Sequence, residues 1–343
     1  MIDNSAKTTP VSATASATAT ATAAAPAFSL AAFTFHLTAK ETIQLPEYKG
    51  SALRGGFGHV MKKVCCVLPP GQCDQRCQLG NQCAYAYIFE TPQDGSANAN
   101  IIATNLPHPF VILPPLTKRE LIHAGEALTF QLTLIGKGIE FLPYFVYAFD
   151  ELGRTGIGRG QGRYQLERVT DNFNQNEIYS RRTKTLKSDF TTRQFSDLIA
   201  ETQTQNPQNL TLQFITPTRI LDNDKTARTL SFDLLMRGLL RRASLLAKIH
   251  CGQEWQLDYR AIVDAARAQV RLTHSELRDH SWERYSNRQQ RRMRFDSFIG
   301  TVQYEGTLQP FLPYILLGHY IHLGKNTTFG MGKYEIVGLR AEG

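Results

Sequence analysis

The sequence predicts an α+β protein made of two copies of one small module, and three observations predict it. Phe141-Leu142-Pro143-Tyr144 begins 23 positions before Tyr164, Phe311-Leu312-Pro313-Tyr314 begins 23 positions before Tyr334, and the two blocks superpose at one offset of 170. Gly160-x-Gly162 falls on Gly330-x-Gly332 at that same offset, which marks an internal repeat. Short alternating apolar runs interleave with stretches of helical period, and 343 residues with 42% hydrophobic content can bury two ordinary cores. The simplest module that ends helix, glycine loop, strand in this way is ferredoxin-like βαββαβ.

Residues 1–27 stand apart as a low-complexity tail. Their Ala/Thr/Ser tract offers no apolar face to bury and reads as disordered. The tail lacks the basic start and Leu-rich centre of a secretory signal, and no apolar run approaches the roughly 18 residues a bilayer crossing needs. The expectation is a cytoplasmic protein in a reducing compartment, without a membrane partner.

The N-terminal domain, 28–170, starts with a strand at 29–37, where Phe33, Phe35 and Leu37 alternate. Leu53, Phe57, Val60, Met61 and Val64 then recur at helical spacing and leave His59 on the exposed side. A cysteine-rich loop insertion, 65–83, follows. Strands at 110–113 and 128–134, a helix at 141–149, a glycine loop at 153–162 and a strand at 164–169 complete the module. A polar connecting segment, 171–207, leads to the C-terminal domain, 208–343. There the pattern gives a strand at 210–215, a helix at 231–249, a second helix within 261–277 and a strand at 298–304. A helix from Phe311, a glycine-rich loop at 324–332 and a strand at 334–339 close it.

A net charge of +8 attracts polyanions without choosing among them. Walker and Rossmann phosphate motifs are absent, as is a carboxylate cluster suited to a metal-dependent nuclease. Cys66, Cys73, Cys77 and Cys83, with Cys65 beside them, could hold a structural zinc ion; unligated cysteines, an iron-sulfur cluster or a catalytic thiol are the other readings. Gly324, Gly330 and Gly332, with Lys325 and Lys333, form a loop whose amides and cations could contact phosphates, or a tight turn. Arg154, Arg159 and Arg163 give the first glycine loop the same two readings.

Five arginines and two aromatics fall within residues 282–294, with Glu283 the single acid. Arg284, Tyr285, Arg288, Arg291, Arg292 and Arg294 suit an RNA surface, since guanidinium forks phosphate and aromatics stack on unpaired bases. A solvated charged segment would look similar. RNA carries its own nucleophile, so cleavage needs only a base, an acid and cations. His59, beside Lys62 and Lys63, is the leading candidate and His322 the second, with Arg54, Lys325 and Tyr48 in support. His36 lies in the first strand.

Several blocks resemble the CRISPR-associated Cas6 endoribonucleases of the RAMP superfamily, in the branch with the Cas6 C-terminal domain. They are Leu45-Pro46-x-Tyr48-Lys49-Gly50-x-x-Leu53-Arg54-Gly55-x-Phe57-Gly58-His59, Cys83-x-Tyr85-x-Tyr87-x-Phe89-Glu90, Phe214-x-x-Pro217-Thr218-Arg219, Arg284-Tyr285-Ser286-Asn287-Arg288-Gln289, and His322-x-Gly324-Lys325-x-Thr327-Thr328-Phe329-Gly330-x-Gly332-Lys333-Tyr334. The resemblance implies tandem ferredoxin-like, RRM-related domains that bind the repeat of precursor CRISPR RNA. It further implies metal-free cleavage by 2′-OH attack, leaving a 2′,3′-cyclic phosphate and a 5′-OH, with no cofactor for catalysis. It puts a catalytic histidine at the position of His59 and RNA backbone on the loop 324–332, and makes other Cas proteins candidate partners. A complete Tyr-His-Lys set does not transfer. The competing readings are a non-catalytic RNA-binding subunit of a CRISPR effector complex and a basic structural protein.

Overall fold

The computed structural model describes residues 26–66, 83–90, 106–222, 225–286 and 291–340, with backbone alone at 90, 282–286, 291–295 and 340. The first module opens with β1 (Ser29–Ala39), which sends Phe33, Phe35 and Leu37 into one core and turns Thr34 and His36 the other way. Short strand β2 (Ile43–Gln44) pairs with β4 (Leu121–Ile122). In α1 (Gly50–Cys65) the buried side chains are Leu53, Phe57, Val60 and Met61, one stripe of a 3.6-residue period. Phe57 stacks at 4.4 Å on Phe145 and 5.1 Å on Phe149, and burying such a ring contributes about 1.5–3 kcal/mol. Both partners belong to α2 (Leu142–Thr155), which starts with Pro143 in its first turn, where the missing N–H costs nothing.

Strands β3 (Phe110–Leu113), β5 (Ala127–Ile135) and β6 (Tyr164–Asp171) complete the sheet in the order β3-β5-β1-β6, every pair antiparallel. That is the ferredoxin-like arrangement. The connecting segment has structure of its own: β7 (Glu177–Ser180) and β8 (Thr185–Leu186) prolong the sheet, and β9 (Arg193–Gln194) returns to pair with β1. It runs straight into α3 (Phe195–Thr202), started by a capping box between Gln194 and Asp197.

The second module repeats the plan. β10 (Asn209–Thr218) is followed by the small hairpin β11 (Leu221–Asp222) and β12 (Lys225–Thr226), then α4 (Phe232–His250) and α5 (Tyr259–Gln269). The hairpin β13 (Val270–Ser286) and β14 (Arg291–Gly306), then α6 (Leu312–Ile321) and β15 (Tyr334–Arg340), give the order β13-β14-β10-β15. The expected helix within 261–277 therefore ends early, at Gln269. From Val270 the chain is extended, because β14 offers a continuous partner from Val270 opposite Gly306 to Ser286 opposite Arg291. Leu272 and Leu277, five residues apart, pack on the same core because the register shift between Leu272 and His274 takes up one residue.

The shared tyrosine explains the repeat. Tyr164 donates its hydroxyl to the Phe149 carbonyl at 2.8 Å and Tyr334 to the Ile315 carbonyl at 2.5 Å, each pinning the last strand of its module to the helix before it. Between the modules a third core gathers Phe28, Ile135, Phe195, Leu246, Trp255 and Leu317. Among the described residues no helix is long and apolar enough to cross a membrane.

Candidate RNA-processing site

The start of α1 and the C-terminal glycine loop are built against each other. Lys49, fully buried, donates from Nζ to the carbonyls of Glu47 (3.0 Å) and Thr117 (2.6 Å), and thereby fixes the entry to the helix. Tyr48 donates its hydroxyl to the Phe329 carbonyl at 2.9 Å. A Cβ on Gly50 would lie 1.9 Å from that same oxygen, so only glycine admits the approach. On its other side the loop meets β3: Gly330, at φ +83°, leaves no room for a Cβ beside Pro114 Cδ (2.3 Å) and the Ile112 carbonyl (2.6 Å). Thr327, Thr328 and Phe329 are buried in consequence.

Arg54 joins these parts. Its guanidinium lies 5.0 Å from the Phe89 ring centroid and 4.8 Å from that of Phe329, so its charge is spent holding aromatic faces of α1's neighbours and of the loop. Tyr48 is engaged likewise, and burial pushes its ionisation far above the ordinary phenol value. Both contact the loop. His59 sits on the opposite, exposed face of α1, with Lys62 and Lys63 three and four residues on. Lys62 Nζ lies 5.6 Å over the Tyr85 ring. An exposed imidazole with two ammonium groups along the same helix face can move a proton beside a phosphate.

The loop's other candidates divide by exposure. Lys325 is exposed, its amide donating to the Arg219 carbonyl at 2.9 Å, and Gly324 turns at φ +87°. Gly332 lies against the Leu323 carbonyl, where a Cβ would come within 1.8 Å. Lys333 and His322 are buried. Lys333 Nζ donates to His319 Nε2 and to the His319 carbonyl, both at 2.9 Å, and Glu335 Oε1 lies 3.5 Å away. Because an ammonium can only donate, His319 Nε2 accepts and Nδ1–H is left to donate to the Tyr334 carbonyl at 3.1 Å. Burial and the Lys333 charge hold His319 well below the usual imidazole range, and burial draws Lys333 down to about 8. His322 donates from Nδ1 to the Met331 carbonyl at 3.1 Å and is kept neutral chiefly by burial. It is displayed towards the interior, away from the face that carries His59.

The remaining arginines are scattered. Arg154 pairs with Asp150 at 2.8 Å on α2, Arg163 pairs with Glu41 at 2.6 Å, and Arg159 is exposed in the first glycine loop. Arg284, Tyr285, Arg291, Arg292 and Arg294 lie on the facing ends of β13 and β14, Tyr285 opposite Arg292, while Arg288 is outside the described residues. Of the expected zinc ligands Cys66 and Cys83 are half-buried, and Cys73 and Cys77 lie outside the described residues. Burial and the nearness of Cys83 and Cys66 push the Cys65 thiol up to about 11. Among the described residues no group of three or more His, Cys, Asp or Glu could hold a metal. His36, half-buried, contacts Thr170 Oγ1 at 3.1 Å. Sequence reasoning missed His319 and Glu335; the one signal was the spacing of His319 and His322 across the last turn of an apolar helix.

Two ferredoxin-like domains in tandem, locked through a glycine loop and carrying an exposed histidine on the first helix, define the class of protein. Residues 212–334 match the family model described as CRISPR-associated endoribonuclease Cas6, and residues 28–191 match the AF_1859_N N-terminal domain. The Cas6 match covers the C-terminal module, and the fold of the two modules together is that of solved Cas6 structures. It is 26% identical over 139 residues to an uncharacterised protein of Archaeoglobus fulgidus, a stretch covering 40% of this chain and 45% of that one, under half the relative's length. Among solved structures it is similar to Thermus thermophilus Cas6, with a TM-score of 0.52 at 15% identity over 91% of this chain and 99% of that one. A Cas6 product complex gives 0.55 at 16% identity, covering 89% and 98%. A partial Cas6-RT-Cas1–Cas2 complex gives 0.58 at 13% identity, covering 91% of this chain and 48% of that one. At these identities the likeness is one of fold.

Proposed function

We propose that the chain is a metal-independent endoribonuclease that binds CRISPR repeat RNA and cleaves precursor crRNA. The observation that carries the reading is the exposed His59 on α1, beside Lys62 and Lys63, in a chain with a Cas6 domain. In this reading His59 takes the proton of the 2′-OH, the freed oxygen attacks the adjacent phosphorus, and the P–O5′ bond breaks. The leaving oxygen is protonated, so the products are a 2′,3′-cyclic phosphate and a 5′-OH. Lys62 and Lys63 offset the charge that develops on the phosphate, with Lys325 available from the loop. Arg54 and Tyr48 keep the loop against α1. The arginines of β13 and β14 hold the repeat through its phosphates. The likeness in fold to a chain of a Cas6-RT-Cas1–Cas2 complex supports other Cas proteins as partners, and a structural zinc on Cys66, Cys73, Cys77 and Cys83 completes the assignment.

Single-turnover cleavage of a labelled repeat RNA in EDTA tests it. Wild type cuts, and His59→Ala slows cutting by about 10²-fold or more while binding RNA as before. His322→Ala leaves the rate per folded molecule within about threefold of wild type, because that side chain faces inward. Tight, salt-sensitive binding without cutting by wild type would replace the enzyme with a non-catalytic RNA-binding subunit.

A further inference from the structure

Arg242 is buried where the two modules meet. It projects inward from α4, is 9% exposed, and donates from Nε to the carbonyl of Ile321, the last residue of α6, at 2.9 Å. Its Nη2 is shut off from solvent and has no hydrogen-bond partner among the described residues. A buried N–H left unpaired is costly, and more so on a charged group, whose charge also wants a counter-charge out of water.

The groups around it cannot supply that charge. His250 on the same helix, His322 one residue beyond α6 and His108 just before β3 all stand within reach of the Arg242 charge. Burial holds His108 down to about 3, His250 down to about 4 and His322 well below the imidazole range, and neighbouring cations, Arg242 among them, add to each. An imidazole is neutral or positive and never negative, so the three leave the guanidinium unbalanced. Among the described residues no carboxylate acts on Arg242, and burial draws it down to about 9, which keeps it protonated at neutral pH. The Ile321 carbonyl carries only a share of the half charge at a helix C-terminus. One dry donor and most of one positive charge therefore remain unmatched.

An anion answers both, as acceptor for Nη2 and as counter-charge. With 9% of the side chain exposed, the place is closed to the phosphates of a polymer and open only to an ion of a few atoms. We propose that Arg242 holds a monovalent inorganic anion of halide size where α4 and the end of α6 meet the approach to β3, and that this ion fastens the modules together. The inference stands apart from the cleavage reading and holds whether or not the chain cuts RNA.

Melting of the full chain in sodium chloride and in sodium gluconate at equal ionic strength, with chloride NMR line widths as a second readout, tests it. Chloride raises the melting temperature by about 2–4 °C over gluconate, and the gain saturates, because an ion bound to the folded state alone stabilises it by mass action. The chloride line is broadened by the protein and sharpens again when bromide displaces the ion. Arg242→Met, which keeps the apolar stem, removes both effects, while Arg163→Ala, at the exposed pair with Glu41, keeps both. Arg242→Lys stands in if the methionine variant does not fold: it retains the charge without the fork, and its half-saturating chloride concentration rises by about tenfold. Equal melting in the two salts, no broadening by wild type, or a chloride gain unchanged in both Arg242 variants would overturn the site. A chain that cuts RNA but ignores chloride loses this inference alone; one that binds chloride but does not cut loses the cleavage reading alone.

Discussion

Gly160 and Gly330 hold the same place in one sequence pattern, at one offset of 170, yet they meet opposite surroundings. In the first, Gly160 turns at φ +82° with nothing within 4 Å of where a Cβ would stand, and Arg159 beside it is exposed. In the second, Gly330 turns at φ +83° with backbone and proline packed against it. The backbone conformation is thus a property of the motif, and the burial is a property of what the fold brings next to it. A glycine motif predicts a turn; it does not predict a ligand.

That contrast can be broken most severely by adding one carbon. Gly330→Ala must both hold a left-handed residue and displace Pro114 and the Ile112 carbonyl of β3, at about 4 kcal/mol or loss of folding, whereas Gly160→Ala pays only the left-handed penalty of about 1–2 kcal/mol. Urea melts of the two variants give the comparison directly, and equal losses would refute it. Acid is the next lever. His250 donates from Nε2 to the Pro107 carbonyl at 2.8 Å and accepts from the Tyr87 hydroxyl at 2.9 Å, clasping one module to the other. Burial, with a smaller push from Arg242, draws it down to about 4. An unfolded histidine titrates near 6.5, so the folded chain binds fewer protons between pH 6.5 and 4. Stability present above pH 6.5 is lost as pH falls through that window, by up to about 3 kcal/mol for this residue. Melting temperatures from pH 7 to 4.5 should fall less steeply for His250→Gln, measured relative to its own value at pH 7.

Smaller effects sharpen the contrast. Arg54→Leu removes the charge stacked between Phe89 and Phe329 and costs about 1–2 kcal/mol, visible as faster proteolysis of the loop 324–332. Arg163→Ala, at the exposed pair with Glu41 beside the first loop, leaves the melting temperature unchanged within error.

Much of the fold was legible because its signals are local. The alternation of Phe33, Phe35 and Leu37 marks β1, the stripe of Leu53, Phe57 and Met61 marks α1, and the offset of 170 ties the modules together. The helix placed within 261–277 stops at Gln269 because the competing partner, β14, lies some 20 or more residues further along, beyond any local window. The same limit hid the clasp at His250 and the triad of His319, Lys333 and Glu335, whose members meet only after α6 and β15 pack. Of the candidate site, the exposure of His59 followed from helical phase, while the capture of Arg54 and Tyr48 by the loop depended on contacts between modules.

The hairpin of β13 and β14 has a kinetic consequence. β10 supports β14 only from Phe298 to Glu305, but the two-stranded ladder runs on to Ser286 and Arg291. At about 3.3 Å per residue, residues 291–297 form a ribbon reaching about 23 Å past the sheet. The arginine-rich stretch of sequence is carried on the backbone of this ribbon, beyond the part of the sheet that β10 supports. A polyanion is drawn in from farther away, and its association rate should respond to salt more steeply than its dissociation rate.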